Sequence, residues 1–241
     1  MHLDAALVSA ACGAAGGWLV PVLIRRLPEP TPDPEKKPDP EPKEPYADIA
    51  AIPGLAWKSA LASTACAAVI GAAVGWQWAL TILVPLVPVC VALAVVDWRT
   101  RLLPTRLVLP ATGVAILLGL VGWAVSRDPD DLVRAAIGLV AVRSFFWVLW
   151  WLHSAGMGFG DVRLAALLGF ALGYLGTGEL VVGAYAGFLI FGLPGLLLAV
   201  VRRDRALLRS AFPFGPFMLV GALIGIVAGP AIWSSLFPAW A

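Results

Sequence analysis

Charge is scarce in this chain: Asp, Glu, Lys and Arg together make up 13% of its 241 residues, while 60% are hydrophobic. A soluble domain cannot cover its surface with so few charges, so the solvent these residues suit is a lipid bilayer. The net charge of +2 is too small to suggest a nucleic-acid partner, and the basic residues punctuate apolar runs instead of forming one patch. Cysteine is equally sparse. Cys12, Cys66 and Cys90 stand far apart inside apolar runs, a spacing that makes neither a zinc site nor a disulfide framework. No HExxH helix, phosphate-binding glycine loop or convincing Ser/His/Asp set occurs, so metal-dependent, nucleotide-dependent and serine-nucleophile chemistry have no foothold, and neither a metal nor a cofactor is expected.

What the chain does have is long apolar runs. Spanning a hydrocarbon core takes about 20 helical residues, and eight segments qualify or come close: Leu3 to Ile24, Trp57 to Trp76, Trp78 to Val96, Leu107 to Val125, Leu132 to Leu152, Val162 to Gly176, Leu180 to Val201 and Phe217 to Leu236. The expected fold is an all-α, polytopic transmembrane bundle of about eight helices. The second and third segments nearly touch in sequence, which predicts a tight helical hairpin. No lysine or arginine precedes the first run, whereas Arg25 and Arg26 follow it, so it reads as a retained helix, not as a cleaved signal peptide.

Orientation follows from the basic residues, because loops rich in Lys and Arg stay in the cytoplasm. With the N-terminus outside, Arg25, Arg26, Lys58, Arg99, Arg101, Arg106, Arg163, Arg202 and Arg203 fall inside, and only Arg127 and Arg134 fall outside. Arg143 is left over within the fifth helix. Three parts result: a first helix over 1–26, a linker over 27–56, and a multi-pass domain over 57–241. From Pro28 to Pro45 the linker alternates Pro with Glu, Asp and Lys, a composition that cannot bury a core and favours an extended tether.

Ionisable groups beside membrane helices are costly and therefore suspect. Asp97 ends the apolar run Val91 to Val96; Asp161 opens the run Val162 to Gly173. The topology puts both at the cytoplasmic edge. Two carboxylates brought together can hydrolyse a peptide bond without a metal, sharing one proton because they repel each other. One takes a proton from water while the other donates a hydrogen bond to the scissile carbonyl. Gly156, Gly158 and Gly160 recur at every second residue before Asp161 and offer a side-chain-free strip of backbone to an extended substrate. Plainer readings exist: Asp161 as the N-cap of a helix, and Asp97 as a carboxylate in interfacial water beside Arg99 and Arg101.

At these residues the sequence resembles the prepilin peptidases, or type IV leader peptidases, membrane aspartic proteases of the GxGD type. Gly156 to Leu164, GMGFGDVRL, resembles the family signature GMGxGDxKL, with Asp161 on the catalytic aspartate and Arg163 in place of the usual Lys. Asp97 to Pro104, DWRTRLLP, resembles the first-aspartate motif, and Phe212 to Phe217, FPFGPF, resembles a late PFGPF segment that starts the last helix. Gly17 to Pro28, GWLVPVLIRRLP, is similar to an N-terminal GSFLNVVIYRLP pattern, with Pro21 where the Asn would stand. The resemblance implies catalysis by Asp97 and Asp161, with Gly156, Gly158, Gly160 and Arg163 shaping the site. It implies a bacterial inner membrane location and cleavage at the cytoplasmic face, just before the hydrophobic segment of a prepilin or pseudopilin. Many members carry paired CxxC motifs after the first helix and methylate the new N-terminus; the linker here has no Cys, so methyl transfer is not expected. The same two aspartates would also serve a membrane transporter or a non-enzymatic pilus or secretion assembly factor, and a homodimer is left open.

Overall fold

A computed structural model describes residues 2–29, 43–152, 157–202 and 213–238, with side chains omitted from 193 to 202. Among these residues the structure is helical and without strands: α1 (Leu3–Trp18), α2 (Val20–Arg25), α3 (Tyr46–Ala50), α4 (Leu55–Val74), α5 (Ala79–Thr100), α6 (Thr105–Ser126), α7 (Asp130–Leu152), α8 (Phe159–Leu175), α9 (Thr177–Arg202) and α10 (Gly215–Leu236). The expected all-α bundle is what forms. Among the described residues six spans reach the length and hydropathy needed to cross a membrane, the first made of α1 and α2 together, the others being α4, α5, α6, α7 and α10. Helix α9 is apolar over Thr177–Gly192. Helix α8, with 17 residues, is shorter than an ordinary span. It does not need to face lipid on all sides, because α5, α6, α7, α9 and α10 all touch it. Val162, Leu164, Leu167 and Phe170 are buried along it, which makes α8 the axis of the core.

Lipid tails are as apolar as leucine, so helices in a bilayer associate where small residues let backbones approach. Three pairs use this device. Gly13 and Gly17 of α1 lie against Ser63 and Ser59 of α4, where a Cβ on either glycine would stand 2.5–2.6 Å from a carbonyl oxygen. Gly138 of α7 and Gly169 of α8 face each other's carbonyls, and Gly178, Gly183 and Gly187 of α9 meet Gly229, Gly225 and Gly221 of α10. The hairpin between α4 and α5 turns at Gly75, whose φ of +67° suits a residue without a Cβ.

The end of the linker is more than a tether. Glu29 accepts hydrogen bonds from the Tyr46 and Ala47 N–H groups (2.9 and 3.1 Å), which caps the short α3. Tyr46 and Ile49 then join Val20, Ile24, Leu27, Leu55, Ala92 and Val96 in a small second core against α5. Glu44 takes Arg99 in a two-pronged ion pair at 2.7 and 2.8 Å, and that contact holds the Glu44 carboxyl below its usual range. Two of the linker's acids are thus occupied by the chain itself; those from Asp33 to Glu41 lie outside the described residues. Arg143 is exposed on α7.

Candidate active site

Helix α5 continues past its apolar run to Thr100, so Asp97 sits inside the last turn of a helix and not after it. The second core buries Val96, and Asp97 itself is only 4% exposed. The helix ends at Arg101, whose φ of +55° is left-handed and whose N–H donates to the Asp97 carbonyl at 2.8 Å. That turn carries Leu103 back into the bundle, where it is buried.

Asp161 is the third residue of α8, behind an N-cap at Gly158. Its Oδ2 accepts the Gly158 N–H at 3.1 Å, while its own N–H donates to the Gly158 carbonyl at 3.1 Å. The carboxylate therefore reaches back to the N-cap from the N3 position, the half of a capping box that a glycine cap permits. This replaces the plainer expectation of Asp161 as the cap itself. The side chain is 7% exposed.

The segment before α10 completes the arrangement. Gly215, its first residue, donates its N–H to Asp97 Oδ2 at 3.0 Å, across 118 residues of sequence. A Cβ at Gly215 would stand 2.7 Å from that same oxygen and 3.4 Å from Leu103 Cδ2. A Cβ at Gly160, beside Asp161, would stand 2.7 Å from Leu103 Cβ. Leu103 thus lies between the glycine beside one aspartate and the glycine that holds the other. The carboxylates are within Coulombic reach. Each is held through Oδ2 by one backbone N–H, and among the described residues no cation pairs with either.

Phe214 fixes Gly215. Its ring packs between Phe146 of α7 and Phe188 and Phe191 of α9, at centroid distances of 5.8, 5.3 and 4.9 Å. Offset and edge-on aromatic contacts of this kind hold orientation as well as burying area.

The glycine strip is placed in part. Gly158 and Gly160 flank the start of α8, whereas Gly156 and the nearby His153 lie outside the described residues. Arg163 has other partners than the carboxylates: Nη1 donates to Thr105 Oγ1 at the start of α6, and the guanidinium lies over the Phe159 ring, 4.8 Å from its centroid. Phe159 in turn meets Trp150 at 5.0 Å. Residue-by-residue reading missed Gly215, Leu103 and the phenylalanine cluster as parts of the site. Leu103 and Gly215 both stand in motifs already noticed, DWRTRLLP and FPFGPF; nothing in the sequence linked those motifs to each other.

Among the described residues no group of three or more His, Cys, Asp or Glu could hold a metal ion. The profile of the type IV leader peptidase family matches residues 84–201. A prepilin leader peptidase/N-methyltransferase of Pseudomonas putida is 29% identical over 177 residues, 70% of this chain and 58% of that protein. One of Dickeya chrysanthemi is 32% identical over 63% of this chain and 53% of its own, and one of Escherichia coli is 28% identical over 59% and 60%. The chain spans little more than half the length of these curated relatives. No solved structure matches it significantly. With both aspartates inside the matched range, residues 84–201 carry the domain of the type IV leader peptidase family.

Proposed function

We propose that this chain is a membrane aspartic endopeptidase that removes the leader peptide of type IV prepilins or pseudopilins at the cytoplasmic face of a bacterial inner membrane, without methylating the product. The observation that carries the reading is the pair itself: Asp97 and Asp161 are buried within Coulombic reach, each anchored through one oxygen. The relatives are prepilin leader peptidase/N-methyltransferases; the Cys-free linker over 27–56 supports assigning this chain only the first activity.

The chemistry follows from the anchoring. Among the described residues, backbone donors occupy Oδ2 of each aspartate and no donor reaches either Oδ1, which leaves each Oδ1 to water and substrate. With one proton between the carboxylates, the ionised one removes a proton from water as the water attacks the scissile carbonyl, and the protonated one hydrogen-bonds to that carbonyl oxygen. The tetrahedral intermediate collapses as the amine leaves with a proton from the acid. A substrate chain held extended beside Gly158 would have room to approach, because a Cβ there would meet nothing closer than Asp161 Oδ2 at 3.5 Å, whereas Gly160 is covered by Leu103.

The test is incubation of purified protein with candidate prepilins and mass measurement of the products. The wild type should give one cut at the leader boundary and an unmethylated new N-terminus, even with S-adenosylmethionine added. Asp97→Ala and Asp161→Ala should each lower cleavage by about 10²–10⁴-fold or more. Cleavage that survives either substitution would remove the aspartate mechanism, and a product heavier by one methyl would remove the restriction to peptidase activity.

A further inference from the structure

Below the aspartates the bundle is not filled. A cavity of about 250 Å³ opens between α4, α5, α8 and α10. Its long walls run from Leu83 to Ala94 on α5 and from Pro216 to Ile226 on α10, each about 15 Å of helix. The lining is apolar apart from two thiols, Cys66 and Cys90. Val220, 48% exposed, lies in its wall, so the cavity is open to the outside of the bundle and is a groove.

Both walls end at the candidate catalytic site. Ala94 stands one turn before Asp97, and Pro216 directly follows the glycine that holds Asp97. We propose that this groove seats the apolar helix that follows the scissile bond of the substrate, a proposal that rests on the peptidase reading above. Three observations select that occupant over an acyl chain or a second copy of this chain. The groove begins at the depth of the aspartates, where a peptide leaving the site must enter the bilayer. It runs from there along α5 and α10, as a helix crossing the membrane would. Its wall at the rim, Ala94 and Pro216, is made of short side chains beside which a helix backbone can lie close. The volume takes the side chains of one face of the first turns of such a helix, and the opposite face stays in lipid.

The test uses the full chain in lipid vesicles with a prepilin carrying a photoreactive benzoylphenylalanine four to eight residues after the scissile bond. Cleavage by the wild type first establishes that the probe is a substrate; a probe that no preparation cleaves overturns the peptidase reading and this inference with it. In Asp161→Asn, which retains the fold but holds the substrate uncut, the probe should cross-link to α5 between Leu83 and Ala94 and to α10 between Pro216 and Ile226, and excess unlabelled prepilin should suppress both products. Cross-links spread over the outer faces of α1, α6 and α7 would show that the groove holds lipid and would overturn the inference while leaving the peptidase reading intact. Independently, Ala94→Trp and Leu223→Trp, which fill the groove, should raise the KM for the prepilin roughly tenfold. Leu117→Trp, on the exposed face of α6, should leave it unchanged. An unchanged KM in both groove variants would also overturn the inference.

Discussion

The two aspartates are held in opposite ways. Asp161 is fixed by its own neighbourhood, through an N–H three residues away in the turn that starts its helix. Asp97 is fixed by a distant segment, the first residue of α10, which is in turn wedged in place by a phenylalanine that packs on two further helices. Asp161 needs only α8 to form; Asp97 needs the whole bundle to assemble. A pair built this way acquires a working geometry only after α10 has docked, so cleavage should be more sensitive than α8 itself to anything that loosens the α10 start.

The sharpest way to break the asymmetry is Gly215→Ala. The added methyl would stand 2.7 Å from Asp97 Oδ2 and 3.3 Å from Cγ, so the carboxylate has to move off its donor. Displacement of a catalytic group by about 1 Å costs on the order of 10²-fold in rate, and the loss should appear in kcat with little change in thermal stability. Gly160→Ala strikes the junction between the two frames, because its methyl meets Leu103 Cβ at 2.7 Å and the Leu103 backbone at 3.4–3.5 Å. Either α8 or the turn after α5 must give way, and kcat should fall by roughly tenfold. Phe146→Ala acts further out. It removes a ring that touches Phe214 from a position 2% exposed. The change should destabilise the fold in detergent by about 3 kcal/mol and lower kcat only several-fold, with Asp97, not Asp161, as the displaced group in the variant's structure.

The same asymmetry explains what could be read from the chain beforehand. Helices show as apolar runs, so the bundle was legible, including the hairpin at Gly75. Boundaries were less so. The run ending at Val96 reads as the end of a helix, yet α5 persists through Asp97 to Thr100, with Val96 buried in the second core beside Val20, Ile24 and Ile49 and with Asp97 and Thr100 themselves buried. Asp161 could be recognised as a helix-start residue because its partner is local, although the cap proved to be Gly158. The bond between Asp97 and Gly215 had no local sign, since a backbone N–H leaves no trace in the residue type that donates it. Only the fold brings DWRTRLLP and FPFGPF together.

The smallest expected effect is also the most discriminating. Gly158 stands in the glycine motif and caps Asp161, so its substitution looks as damaging as that of Gly215. A Cβ there, however, would have no closer contact than Asp161 Oδ2 at 3.5 Å, an ordinary van der Waals distance, and the φ of −74° suits any residue. The N–H that holds Asp161 belongs to the backbone and is kept in Gly158→Ala. Thermal stability should therefore be unchanged and kcat should stay within about twofold. If the strip beside Asp161 is where the substrate backbone passes, the methyl stands in that path, and the cost should fall on KM, by several-fold. A rise in KM alone assigns Gly158 to substrate passage. An equal fall in kcat would instead mean that Asp161 depends on Gly158 for more than one hydrogen bond, and the contrast with Asp97 would weaken accordingly.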